Sequence, residues 1–318
     1  MRVLPLLSTF KPAFYISFLS NSDKFNNQSS DFDIQYKKAL AKGISDTFYC
    51  SVNEKDLGSV VAPNELKQLL KRFLAEHFQT GSFPFNNPNK REVFTNVLEG
   101  KYRINLHSHS RKSDGIMTPS EFLKMAAKYA DKAKRLHPDL PPFTIALTDH
   151  NNIEGAKEIL SLIAKNPDKY KNLKFVVGCE FMFMDKDSTF EFPAFEAIGL
   201  GFNPFDPEIN KRLKSMNDID LLGVIKDSGG VVSYAHPYIQ GNGCDEDFIK
   251  YLISKGVNGI ESNYQYFNFQ DIPELRKSMS DTKSVAEKYN LFETGGTDTH
   301  HRNVFHFKAE SILDELLE

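Results

Sequence analysis

From about residue 102 onward, short apolar segments alternate with longer charged segments of helical periodicity. This alternation predicts an α/β fold, because a helix after each strand can cover a largely parallel sheet. The predicted strands are 103–109, 144–150, 174–183, 195–202, 230–236, 259–264 and 291–298. The predicted helices are 119–136, 153–165, 207–228, 245–255 and 272–290. Seven strands come close to the eight of a closed (β/α) barrel, and an open doubly wound sheet is the alternative.

The first hundred residues differ in composition from the rest and contain no catalytic pattern. Asparagine and serine cluster at 21–30, and one amphipathic helix is predicted over about 63–78 from its leucine spacing. We therefore predict two parts: a mostly helical N-terminal extension of unknown role at 1–100 and a separate domain at 101–318. We also hypothesise that the extension covers the mouth of the barrel and selects the substrate.

The composition is that of an ordinary globular protein and limits the classes of partner. The 318 residues carry a formal net charge of −3, so no broadly basic surface for nucleic acid is indicated. The three cysteines are far apart and form no CxxC pair, which argues against a disulfide framework or a thiolate zinc site. A reducing, cytoplasmic compartment is the simplest interpretation. No apolar run is as long as a membrane-spanning helix, so we expect no membrane partner. The oligomeric state is not indicated.

Histidines and acids follow one predicted strand after another, and this pattern points to a function. In (β/α) barrels, catalytic groups come from the carboxyl ends of the strands and from the loops just after them. Five of the nine histidines lie at such ends, on four different strands: His107, His109, His150, His236 and His300. A chance arrangement of core histidines would not repeat this placement, so we expect these side chains to meet in one cleft.

Residue spacing indicates which of these side chains share a face. His107 and His109 are two residues apart, as are Asp298 and His300, and residues at that spacing in a strand point to the same side. Two such side chains at a strand end can chelate one metal ion. Asp114 lies in the loop after the first strand, where alternation cannot place it, although a loop carboxylate could reach the same cleft.

The second and third strands add further acids. Glu180 follows an apolar run, where an unpaired carboxylate is costly to bury, and a metal ion would remove that cost. The neighbouring Cys179 should then face the other way as a small core residue. At the end of the second strand either Asp149 or His150 can face the cleft, and Asp149 could instead orient a histidine.

The set of side chains limits the metal. Imidazole and carboxylate ligands without thiolate suit zinc, manganese or iron better than calcium or a soft metal. Eight candidate ligands exceed what one ion needs, so two or three divalent ions bridged by a carboxylate fit better. Such centres clamp the attacking and leaving oxygens of a phosphoryl transfer and lower the pKa of bound water to about 7.

Five short motifs in this order resemble those of the PHP (polymerase and histidinol phosphatase) family, most closely its stand-alone bacterial members. They are HSH with SDG, TDH, GCE, AHP and TDTH, and they span roughly residues 102–302. The resemblance implies a distorted seven-stranded (β/α) barrel with a trinuclear metal centre. It also implies the ligand sets of the three ions: His107, His109, Glu180 and Asp298 for the first; the bridging Glu180 with His236 for the second; and Asp114, His150 and His300 for the third.

One position departs from the family pattern. Many relatives have a histidine on the strand after the GxE motif, and Glu196 stands there in this chain. A carboxylate can replace imidazole as a ligand, so we include Glu196 in the second site, although its metal preference or occupancy is then open.

The resemblance implies metal-dependent hydrolysis of phosphate esters by a metal-bound hydroxide at a di- or trinuclear centre. We expect Glu180, His236 and Asp298 to be central to catalysis. The substrate is predicted to be a small phosphorylated molecule, a nucleotide or a short nucleic acid. The side chains that flank the motifs could contact its phosphate: Arg111, Lys112, His301 and Arg302. Glu261, at another strand end, could support a ligand.

Two other functions fit parts of the pattern. An amidohydrolase-like metal hydrolase also opens with HxH, but it usually carries a bridging carboxylated lysine, and no lysine lies at a suitable strand end. A degenerate metal-binding module could use its N-terminal hundred residues to contact a protein partner, yet nearly every ligand position is filled. Replacing Asp298 with alanine separates an enzyme from a binding module, because an enzyme should lose turnover whereas a binding module should keep its affinity for the partner.

Overall fold

The structure is a computed structural model. It describes residues 25–80, 95, 97–184, 190, 194–215, 218–239, 242–264 and 273–301, with backbone only at 25–30, 73–80 and 273–279. Within these ranges seven strands form one sheet in chain order, as the alternation predicted. The strands are β1 Ile104–Asn105, β2 Phe143–Leu147, β3 Leu173–Met184, β4 Ala194–Leu200, β5 Val231–Tyr234, β6 Gly259–Asn263 and β7 Phe292–Gly295.

Eight α-helices surround this sheet in the described part of the chain. They are α1 Phe25–Phe48, α2 Pro63–Thr80, α3 Pro119–Leu136, α4 Glu154–Lys165, α5 Pro207–Leu213, α6 Asp220–Asp227, α7 Glu246–Ser254 and α8 Pro273–Tyr289. The start of α3 follows the capping rules, since Thr118 and Glu121 each bond the other's backbone N–H and Pro119 opens the first turn. The prediction of one continuous helix over 207–228 is wrong, because two separate helices, α5 and α6, occupy this range.

The sheet is not parallel throughout, which corrects the expectation for the fourth strand. β4 pairs antiparallel with both β3 and β5, while the other neighbouring strands pair parallel. The physical reason is the length of the connection: only residues 185–193 separate β3 from β4. A parallel crossover needs about a dozen residues or more, so a shorter connection returns the chain alongside the strand it has just left.

Backbone hydrogen bonds join the segment after β1 to the end of β7 and to the residues that follow β7. The N–H of Leu106 donates to the carbonyl of Gly295 (3.1 Å), Asp298 donates to His107 (2.8 Å), and His109 donates to Thr299 (3.0 Å). These bonds place the polar ends of the first and last strands side by side. The HxH and TDTH motifs are therefore neighbours in space although about 190 residues separate them.

Helix α2 packs at the end of the sheet opposite the histidines. Its residues Leu66 and Leu70 are buried in a cluster with apolar side chains of the strands. Leu66 fills the space left by Gly201, where an added Cβ would lie 2.9 Å from its Cδ2. Gly201 follows the last residue of β4, which pairs with the first residue of β5, so this contact marks the end where the parallel strands begin. The hypothesis that the extension covers the mouth is wrong for α2.

Other contacts tie the N-terminal residues to the sheet. The backbone of Val61 and Ser59 forms β-type hydrogen bonds with Phe175 of β3, at 2.8 and 2.7 Å. The hydroxyl of Tyr36 in α1 donates to the carbonyl of Phe202 (3.2 Å). Residues 31–72 thus share their core with the sheet, and a domain boundary at residue 100 stays a prediction.

Two observations bear on the predicted cellular environment. All three cysteines are free thiols, in line with the absence of a disulfide framework. In the ranges that the structure describes, no helix combines the length and apolar character needed to cross a membrane. A cytoplasmic location stays a prediction.

Candidate metal centre

All nine predicted ligands come together at the carboxyl ends of the parallel strands. Their nitrogen and oxygen atoms form three groups, each compact enough to surround one ion. The groups are His107, His109, Glu180 and Asp298; Glu180, Glu196 and His236; and His109, Asp114, His150 and His300. No side chain in the set is a thiol. The donor types therefore match those of zinc, manganese or iron sites.

The first group has the dimensions of a tetrahedral site. The Nε2 of His107 lies 3.1 Å from Nε2 of His109 and 3.1 Å from Oε2 of Glu180. The Oδ1 of Asp298 lies 3.3 Å from Nε2 of His107 and 3.0 Å from Nε2 of His109. A tetrahedral zinc ion about 2.0–2.1 Å from each ligand would hold the ligand atoms about 3.3–3.4 Å apart. The four atoms converge on one point at nearly that spacing.

Glu180 lies between the first and second groups. Its Oε2 faces the two histidines that follow β1, whereas its Oε1 lies 3.0 Å from Nε2 of His236. The Oε2 of Glu196 lies 3.3 Å from that same nitrogen. Each carboxylate oxygen of Glu180 therefore belongs to a different group. This is the geometry needed for a carboxylate that bridges two ions.

The third group is the most open to solvent. The Oδ2 of Asp114 lies 3.1 Å from Nε2 of His300 and 3.7 Å from Nε2 of His150. The Nδ1 of His300 lies 3.0 Å from the carbonyl of Asp298, so an Nδ1–H tautomer leaves Nε2 free for a ligand role. His109 also approaches Asp114 through Nδ1, at 3.7 Å, which the sequence did not indicate.

Two of these residues occupy a strained backbone conformation. His236 has a φ of 23° and Asp298 a φ of 44°, in the left-handed region that residues other than glycine rarely adopt. Such a conformation costs about 1–3 kcal/mol and persists only where surrounding contacts enforce it. Strain at two candidate ligands is typical of a functional site rather than of a structural core.

Glu261 contacts two of the candidate ligands, His107 and His236. One carboxylate oxygen lies 3.1 Å from Nδ1 of His107, and the other accepts the backbone N–H of His236 at 2.9 Å. A carboxylate on Nδ1 fixes the tautomer so that Nε2 presents its lone pair to an ion. The sequence raised this role for Glu261 only from its position at a strand end.

Tyr264 is a supporting residue that the sequence analysis missed. Its hydroxyl donates to Oδ2 of Asp298 at 2.7 Å, which leaves Oδ1 for the first group. A β-bulge in β6 interrupts the pairing between Glu261 and Asn263. Strict alternation from Glu261 would turn Tyr264 away from the site, so the bulge hides this residue from an argument based on periodicity.

Asp149 holds the loop that carries Asp114. Its carboxylate accepts the backbone N–H of Ser110 (2.6 Å) and the hydroxyls of Ser110 (2.8 Å) and Ser113 (2.9 Å). Asp149 thus positions a loop instead of the histidine considered above. The thiol of Cys179 donates to the carbonyl of Asp149 at 3.3 Å, so this side chain turns away from the ligand groups.

The electrostatics of the cluster favour a bound cation. Burial, together with the neighbouring Glu180, raises the pKa of Glu196 to about 7. Burial alone would lower the pKa of His109, but hydrogen bonds to Asp298 and Glu180 raise it to about 9. The buried carboxylates thus attract protons strongly. A divalent ion would supply the same compensation while leaving the histidines neutral.

Comparison with known proteins finds relatives in sequence and in structure, although no protein-family model matches the chain. A stretch of 115 residues is 31% identical to the 3′,5′-nucleoside bisphosphate phosphatase of Chromobacterium violaceum, covering 36% of this chain and 33% of that protein. Over 215 residues the chain is 21% identical to the PolC-type DNA polymerase III of Staphylococcus saprophyticus, covering 64% of this chain and 13% of the polymerase. The chain thus spans a third or less of these curated relatives.

A structural likeness is looser. The Bacteroides vulgatus protein described as a two-domain protein containing a predicted PHP-like metal-dependent phosphoesterase has a TM-score of 0.39 and 18% identity. The structural match covers 63% of this chain and 52% of the Bacteroides vulgatus chain. The five motifs meet in a single cluster, and the curated relatives match the chain in sequence. The clustered motifs and the sequence relatives support the PHP family that the sequence resembles. Glu196 lies in the second group, at the position where the motif resemblance led us to expect a histidine.

The predicted substrate contacts flank the ligand motifs in sequence, and one of them lies outside the described residues. The Nε of Arg111 donates to the carbonyl of Ile116 (2.6 Å), and Nζ of Lys112 pairs with Glu158 (3.3 Å). His301 is exposed next to the TDTH motif. Arg302 lies outside the residues that the structure describes. None of the three described side chains belongs to a ligand group, and their contact with substrate stays a prediction.

Proposed function

We propose that this chain is a metal-dependent hydrolase of phosphate esters. The observation that carries the proposal is the position of Glu180, whose two oxygens face two different ligand groups at about 3 Å. A carboxylate shared by two ions sets them close together, as in two-metal hydrolases that stabilise both oxygens of a displacement at phosphorus. Divalent ions bound there would supply a water of lowered pKa and positive charge beside the phosphoryl oxygens.

The residues of the chain would have distinct tasks. His107, His109 and Asp298 would hold the first ion, and Glu180 would bridge it to the second, which His236 and Glu196 would complete. Asp114, His150 and His300 would hold a third. Burial of the first two groups would exclude bulk water and strengthen their charge interactions. Glu180, His236 and Asp298 would therefore have the largest influence on turnover.

The three groups differ in donor chemistry, which bears on the number and kind of ions. The first and third groups contain two and three imidazoles, whereas the second contains His236 with two carboxylates. Nitrogen-rich groups suit zinc, while carboxylate-rich groups suit manganese or iron. We therefore propose a centre of two or three ions in which the second position prefers manganese or iron.

The proposal includes closure of the sheet into a distorted barrel. Three backbone hydrogen bonds support closure, and they join the segment after β1 to the end of β7 and to the residues that follow it. Closure would explain why ligands from the first and last strands, such as His107 and Asp298, lie within 3.3 Å of each other. The ligand groups would then occupy the mouth at the carboxyl ends, where (β/α) barrels place their active sites.

The substrate class follows from likeness and from charge. The relative with 31% identity is named for hydrolysis of a small nucleoside bisphosphate. The net charge of −3 gives no broad basic surface that would hold a long polyanion. We therefore propose a small phosphorylated molecule, with phosphomonoester hydrolysis favoured over cleavage of nucleic acid.

An isosteric substitution tests the proposal. Glu180→Gln keeps the shape of the side chain but removes the bridging charge, so phosphate release should fall more than about a hundredfold. Glu287→Gln, at an exposed position on α8, makes the same charge change away from the site and should keep wild-type activity. Full activity in Glu180→Gln that folds like wild type would contradict the proposal. Release of an amine from an amide substrate, with no phosphate release, would indicate the amidohydrolase alternative.

A further inference from the structure

Two exposed methionines lie on the same face of the sheet as the metal ligands. Met182 pairs directly opposite Glu196, and Met184 opposite Ala194, in the antiparallel register of β3 and β4. Residues at even positions of β3 share the face of Glu180, because side chains alternate along a strand. Both methionines are nearly half exposed, at 48% and 47%. Two large apolar side chains are thus partly exposed on the face of β3 that carries Glu180.

Both methionines line a cavity of about 230 Å³ beside the second half of β3. Its apolar lining combines both faces of β3: Met182 and Met184 come from the face of Glu180, and Phe181 and Phe183 from the other face. Ala194, Leu213 and Leu221 complete the apolar lining. An apolar cavity of about 150 Å³ is enough to bind benzene, so this one has room for one planar ring system. Methionine suits such a task, because its flexible thioether adapts to flat rings and makes favourable sulfur–aromatic contacts.

The charge of the cavity decides which part of a substrate it accepts. Arg212 is the one cation in its lining among the described residues, and it is already neutralised by Glu208 (2.8 Å) and Asp218 (2.9 Å). No uncompensated positive charge is left there for a phosphate. An uncharged ring fits this lining, whereas a second phosphate does not.

The cavity is also close to the ligand groups along the chain. Met182 is two residues beyond Glu180, about 7 Å at the rise of a strand. Asn151, another lining residue, directly follows His150. Its Oδ1 accepts the backbone N–H of Met182 at 3.3 Å, so its Nδ2 protons are left for a ring acceptor. Two lining residues, Asn151 and Phe181, thus directly follow the candidate ligands His150 and Glu180.

We propose that this cavity binds the planar aromatic ring of the ester's alcohol, of the nucleobase class, while the phosphate lies at the ligand groups. The proposal rests on the proposed function and adds the part of the substrate that is recognised. Recognition would come from stacking on Met182 and Met184 with a hydrogen bond from Asn151. Binding should then depend on the ring and not on a second phosphate.

Binding of two matched ligands to the metal-loaded protein tests this proposal. The ligands are the non-hydrolysable methylene phosphonate analogues of adenosine 5′-monophosphate and of ribose 5-phosphate. Titration calorimetry measures the Kd of each ligand. The Met182→Ser, Met184→Ser double variant should weaken binding of the adenosine ligand about tenfold or more, in keeping with the usual effect of losing a stacking partner. Binding of the ribose ligand should change less than twofold. Both substitutions are at half-exposed positions, so the fold should persist.

A control separates the possible failures. Leu136→Ser, at an exposed position at the end of α3, should leave both Kd values unchanged. Equal Kd values for the two ligands in wild type, or equal weakening of both in the double variant, would overturn the ring site. Hydrolysis of the two parent phosphates, assayed separately, tests the proposed function. If neither parent phosphate is hydrolysed, the proposed function is contradicted, whereas the Kd values from calorimetry decide the ring site separately.

Discussion

Glu261 and His107 form a buried pair in which the carboxylate lies 3.1 Å from Nδ1 of the imidazole. The pair fixes which nitrogen of His107 faces the other ligands, and it couples β6 to the segment after β1. Glu261→Gln keeps the shape but removes the charge. The affinity for the first ion should fall about 10- to 100-fold, the usual effect of altering such a partner. Competition with a metal-sensitive dye measures that affinity.

Glu293→Gln provides the matched control. Glu293 is also buried on a neighbouring strand, but its carboxylate accepts a hydrogen bond from Ser262, away from the ligand groups. It should change metal affinity less than twofold. An equal loss in both variants would mean that burial of any carboxylate in this sheet matters, and that Glu261 has no specific role.

Tyr264→Phe tests the hydrogen bond to Asp298 without changing the ring. The hydroxyl donates to Oδ2 at 2.7 Å, so its loss should free the carboxylate to rotate. We expect metal affinity to fall about tenfold. Tyr289→Phe removes a hydroxyl that bonds the exposed Glu246 and should have no effect on affinity. If Tyr264→Phe binds metal as tightly as wild type, the hydroxyl does not position Asp298.

Gly296→Ala tests the close approach of the last strand to His107. A Cβ at Gly296 would overlap the backbone nitrogen and Cβ of His107, which cannot move without shifting the ligand. The substitution should lower the midpoint of thermal unfolding and abolish tight metal binding. Gly223→Ala, in the interior of α6 with its nearest neighbour at 3.9 Å, should instead stabilise by about 1 kcal/mol. Equal midpoints for both variants would contradict the packing described here.

Leu66→Ala tests whether α2 is part of the same folding unit as the sheet. Leu66 is completely buried among strand residues, so its truncation should lower the free energy of unfolding by about 2–5 kcal/mol. Urea unfolding can be monitored both by the circular dichroism signal of the helices and by phosphate release. Both signals should show one transition, and its midpoint should lie at a lower urea concentration in the variant than in wild type. Two separate transitions, with activity unaffected, would indicate an independent N-terminal domain.

Much of the candidate site was accessible from the sequence because strand alternation is a strict geometric rule. Spacing of two residues placed His107 with His109, and Asp298 with His300, and the structure brings all four together. The contact of Tyr264 with the site was not predicted, because a β-bulge interrupts the alternation of side chains along β6. The antiparallel direction of β4 was not predicted, because the apolar periodicity of a strand is the same in either direction. Only the short connection between β3 and β4 indicates that the chain reverses there. The leucine spacing of α2 likewise predicts that one face of the helix is buried, but it does not indicate which part of the protein that face contacts.

Metal removal and replacement test the central claim most directly. Protein treated with a chelator should lose phosphate release from a phosphomonoester. Activity should return as manganese or zinc is added back, reaching its maximum only when at least two ions are bound per chain, as counted by elemental analysis. A chelated, metal-free sample that retains full phosphatase activity would contradict the account.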